Sequence, residues 1–95
     1  MRAIAWPVGK RGWTVVLESV GVAAGRSAAG TKAKAAIDAG LANVGVLRSD
    51  QFSSLHPGYF VVFTGVYESQ AQAEQGRREA ARAGYGRAYA REIVP

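Results

Sequence analysis

Pro57-Gly58-Tyr59-Phe60-Val61-Val62-Phe63-Thr64-Gly65-Val66-Tyr67 is the stretch whose reading decides the fold. Pro57-Gly58 is a turn signal, and the Val and aromatic residues after it are the types enriched in strands. A half-buried strand alternates apolar and polar positions. Here Tyr59, Val61 and Phe63 point one way while Phe60, Val62 and Thr64 point the other, so both faces want cover. That predicts a central strand. Alternation alone leaves open which parity faces the core, and either choice puts at least one ring on the other side of the sheet.

Working outward, the stretch has a partner upstream. Gly12-Trp13-Thr14-Val15-Val16-Leu17 answers Gly58-Tyr59-Phe60-Val61-Val62-Phe63, and Asp38-Ala39-Gly40-Leu41 answers Arg82-Ala83-Gly84-Tyr85. Residues 13–20, 44–47, 59–67 and 88–93 read as strands, and residues 28–39 and 70–83 as helices. Ser27 and Ser69 are the expected N-caps, because a hydroxyl there accepts from an unpaired N–H of the first turn. Gly40 and Gly84 are the expected stops, at the position where positive φ is needed. Ala29, Ala33, Ala36 and Ile37 form one buried helix face, and Ala71, Ala73, Gly76, Ala80 and Ala83 form the other. Two strand-helix-strand halves in this order interleave as a ferredoxin-like βαββαβ fold of the α+β class. Right-handed crossovers place both helices on one face of a four-stranded antiparallel sheet. Residues 1–11, punctuated by Pro7 and Gly9 and closed by Gly12, read as a flexible lead-in to a domain at 12–94; Trp6 within it is free to pack back.

The remaining global properties bound the function. A chain of 95 residues is one domain, which buries somewhat over ~60% of its unfolded surface. Without cysteine there is no disulfide, thiolate nucleophile or Cys zinc site. No apolar run approaches the ~20 residues of a membrane span, and the stretch Met1–Pro7 is too short for a signal peptide, so membrane insertion within this chain is not expected. A net charge of +5 favours anionic partners, although a basic surface also serves solubility alone.

Residues suited to catalysis are sparse. His56 is the only histidine, placed beside Pro57 with Ser53 and Ser54 nearby, and nothing visible holds its imidazole or supplies an oxyanion hole. The carboxylates are scattered, metal-ligand spacing is absent, and the glycines form no phosphate loop. The chain reads as a binding module without catalytic residues, metal or cofactor. An RNA recognition motif shares the expected fold, but its third-strand signature carries a small residue between two aromatics. Here Tyr59 and Phe60 are adjacent, so they point to opposite faces and cannot stack neighbouring bases. Nucleic acid is therefore disfavoured.

Trp13-Thr14-Val15-Val16-Leu17-Glu18-Ser19-Val20, then Gly65-Val66-Tyr67, Ala71-Gln72-Ala73-Glu74 and Ala83-Gly84-Tyr85, follow one another in a familiar order. Over residues 12–94 the chain resembles the sporulation-related repeat, or SPOR, family of bacterial cell-envelope domains, in a variety seen in actinobacterial envelope proteins and kinases. The resemblance implies a domain of a larger extracytoplasmic protein that binds peptidoglycan glycan strands, stripped of stem peptides, on the helix-free sheet face. It places the family's strand-one serine on Ser19, its strand-three aromatic on Tyr59 and a last-strand apolar contact on Tyr89. Two family positions differ: the strand-one glutamine is Val16 and the strand-three arginine is Val61, with Arg91 and Arg48 the cations available to compensate. The alternative reading is a structural or protein-interaction domain that self-associates through an apolar sheet face.

Overall fold

The structure, a computed structural model, describes residues 2–95; Met1, the first residue of the expected lead-in, lies outside the described residues. Its elements are β1 (Gly12–Gly21), α1 (Arg26–Asp38), β2 (Val44–Arg48), β3 (Tyr59–Tyr67), α2 (Gln70–Arg82) and β4 (Tyr89–Ile93). The sheet is antiparallel throughout in the order β2-β3-β1-β4, which is the ferredoxin-like arrangement the repeat predicts. The doubly apolar stretch is β3, central as expected, between β1 and β2.

Both helices pack on one face through small residues. Ala29, Ala33 and Ala36 of α1, and Ala73, Gly76 and Ala80 of α2, are buried. Ala29, Ala33, Ala36 and Ala80 join Val15, Leu17, Phe60 and Val62 in one core cluster. Ser69 caps α2 as predicted, accepting from the Gln72 N–H at 3.3 Å. The other expected cap is corrected. α1 begins at Arg26, its N-cap is Gly25 at φ 89°, and Ser27 falls inside the first turn. A 3-10 turn over Val22–Ala24 brings the chain into that positive-φ glycine, so the backbone opens the helix two residues before a Ser27 cap would.

β1 departs from simple alternation. Val16 lies opposite Phe63 while Glu18 lies opposite Val62, a register shift that leaves Leu17 and Glu18 on the same side. Leu17 joins the helix-side core, and Glu18 pairs with Lys32 of α1 at 3.2 Å. Beyond this bulge the parity of β1 is inverted, so Ser19, opposite Val61, shares the face of Val16.

Candidate functional site

The parity that sequence left open is decided by the core. Phe60 and Val62 face the helices, while Val61 and Phe63 join a second buried cluster on the helix-free face. That cluster exists because two segments outside the sheet lie across it. The lead-in reaches β2, where the Ile4 N–H donates to the Val44 carbonyl at 2.8 Å and Ile4 bridges Gly45 in parallel. Trp6, only 6% exposed, sets its ring edge-on to Phe63 with centroids 5.6 Å apart. Its indole N–H is satisfied by the Lys10 carbonyl at 2.9 Å, as a buried Trp requires.

The second cover is the connection between β2 and β3. These strands are neighbours at one edge of the sheet, yet the connection travels to the opposite edge and returns. Phe52 and Leu55 pack onto the helix-free cluster on the way. At the far side the Ser54 hydroxyl donates to the Glu92 carbonyl and accepts from the Val94 N–H, both at 2.9 Å. The loop's base is closed by Asp50, which accepts from the Gly58 N–H and pairs with Arg48 at 3.0 Å. The Gly58 N–H, and secondarily Arg48, hold the Asp50 carboxyl below its usual range. Buried Ser49 accepts from the Tyr59 N–H at 3.0 Å. This connection is a strap across the face.

What strap and lead-in leave uncovered is a groove of about 440 Å3 lined by Val16, Ser19, Ser49, Leu55, His56, Tyr59, Val61, Tyr89 and Arg91. All five residues singled out from sequence, Ser19, Tyr59, Val61, Tyr89 and Arg91, meet here. Val61 forms floor, being buried, whereas Tyr59 and Tyr89 are 40% and 48% exposed at the rim. Tyr89 stands opposite Val16 across β1 and β4. Arg91, two residues on, shares its face and donates to the Ser54 carbonyl. No carboxylate lines the groove, and among the described residues Arg91 has no acidic partner within ion-pair distance.

Two further groups named from the sequence lie as follows. Arg48 lies with its guanidinium 5.7 Å from the Phe60 ring, which Arg26 also approaches at 5.3 Å, and it does not line the groove. Ser53 and Ser54 bond to the backbone of residues 92–95 rather than to His56. Ser49, Leu55 and His56 were not among the sequence candidates for binding, because they enter through the strap's path. Leu55, an apolar residue in a polar loop, was the one available signal.

A second cavity of about 380 Å3 lies between α2 and the turn after α1, lined by Gly40, Asn43, Gly65, Tyr67, Glu79 and Arg82 among others. It holds none of the candidate residues. No helix among the described residues is long and apolar enough to cross a membrane. Comparison with protein-family models, with curated proteins and with solved structures finds no match to this chain.

Proposed function

We propose that this chain is a non-catalytic binding module of the bacterial cell envelope that takes a peptidoglycan glycan strand in the strap-walled groove. The observation that carries the reading is the placement of exposed aromatics. Among the described residues three large apolar side chains are exposed, Val8, Tyr59 and Tyr89, and two of them line this groove. Sugar rings present apolar C–H faces that pack on such rings, while a few polar groups orient the hydroxyls. Ser19 and Arg91 are those groups here, and Arg91 replaces the cation that the family resemblance would place at Val61. The absence of acidic lining residues suits a glycan bearing lactyl carboxylates.

The extracytoplasmic setting and membership of a larger envelope protein rest on the resemblance to SPOR domains. The self-association alternative draws less support, since Trp6, Phe52 and Leu55 already cover the apolar part of the helix-free face. A pulldown with intact and amidase-treated sacculi, comparing wild type with Tyr59→Ala, tests the reading. Wild type should be retained more strongly on the treated material, and Tyr59→Ala should lose roughly fivefold or more of that retention. No retention of wild type on either material ends the proposal.

A further inference from the structure

We infer that the strap between β2 and β3 is a latch, with Ser54 as the residue that positions it and so sets the width of the groove. The strap crosses the sheet without joining its ladder, so its far end is held by side-chain contacts. Ser54 supplies most of them. Its hydroxyl takes up the Glu92 carbonyl and the Val94 N–H at the end of β4, in the place a neighbouring strand would occupy. Its carbonyl receives the Arg91 guanidinium. The next two residues, Leu55 and His56, are the groove's outer wall. One residue therefore fixes both the wall and the cation facing it, and the fork of N–H donors on Arg91 keeps donors to spare for a ligand. Ser53 beside it makes longer bonds, 3.2 and 3.3 Å, to carbonyls at the exposed rim.

Lifting the strap would turn the groove into flat sheet and uncover Val16 and Val61. The cost of wetting those side chains keeps the latch closed at rest, while the small number of bonds at its far end lets it open without unfolding the sheet. The ligand named here rests on the glycan reading above; the latch itself does not.

Native-state hydrogen exchange on the full chain tests it. The Val94 amide, bonded to Ser54 Oγ, and the Leu55 amide, bonded to the Phe52 carbonyl at 3.2 Å, should exchange together and well ahead of the β1–β3 ladder. Ser54→Ala should speed Val94 exchange roughly five- to tenfold, the effect of one or two hydrogen bonds. It should also lower retention on amidase-treated sacculi at an unchanged ladder exchange rate. Ser54→Thr, which keeps the hydroxyl, should restore both, and Ser53→Ala should change neither. Val94 exchanging only with the ladder in wild type would show that the strap is part of the global core and overturn the latch, whether or not any variant folds. Equal effects of Ser53→Ala and Ser54→Ala, or no effect of Ser54→Ala, would overturn the role of Ser54. If wild type binds no sacculi, the glycan reading fails while the exchange rates still judge the latch.

Discussion

Gly76 stands where the phenol of Tyr67 meets α2, and a Cβ built there would fall inside contact distance of both the hydroxyl and the ring. Gly65, at φ 85°, crowds the same ring from the strand side. Tyr67 is thus threaded between two glycines, and burial, with the Glu79 charge adding to it, raises the pKa of its hydroxyl. Ala is the better helix former by about 1 kcal/mol, but overpacking costs about 1–3 kcal/mol. Gly76→Ala should therefore destabilise the protein, read as a lower urea midpoint at an unchanged slope. A gain in stability would mean that the Tyr67 ring swings aside. Helical spacing showed that Gly76 belongs to a small-residue face, but it could not show which ring fills the space. The groove residues divide in the same way: their chemical types were legible one by one, and their meeting was not.

At the scale of elements, the strap is the part whose stability should depend on pH. Asp50 fastens its base, and its pKa is lowered from 3.8 chiefly by the Gly58 N–H. A carboxyl with a depressed folded pKa stabilises the fold fully above its unfolded value, and loses that contribution as pH falls through the folded value. Asp50→Asn should thus melt at a lower temperature than wild type near neutral pH, and the gap should close as pH falls below the ordinary carboxylate range. A gap independent of pH would assign the effect of Asp50 to shape rather than charge. Most elements were legible because their signals are local: β3 has the bounds its own residues predict, and Ser69 caps α2. The bulge in β1 was not legible. It arises from the match of two strands, and it alone brings Ser19 onto the face of Val16.

In the whole molecule, the helix-free face is covered, except for the groove, by segments that lie outside the repeated strand-helix-strand halves. Trp6 covers Phe63, itself fully buried, and truncating a buried Trp to Ala costs about 3–5 kcal/mol. That is a large part of the ~5–15 kcal/mol by which a domain is stable. Trp6→Ala should lower the melting temperature and, by baring Phe63, produce association that grows with concentration in light scattering. An unchanged melt with a clean monomer would show that the strap seals the face alone. The sequence by itself determined the element order, the internal repeat and the central place of β3. Period-two apolar runs and glycine stops act through near neighbours, and few topologies accommodate them. Only the tertiary structure decided which parity of β3 faces the helices, where Ser19 points and what remains open beside Tyr59. Those depend on how much apolar surface distant segments bury together, which for Trp6 and the strap is set by a path across the sheet that no local pattern records.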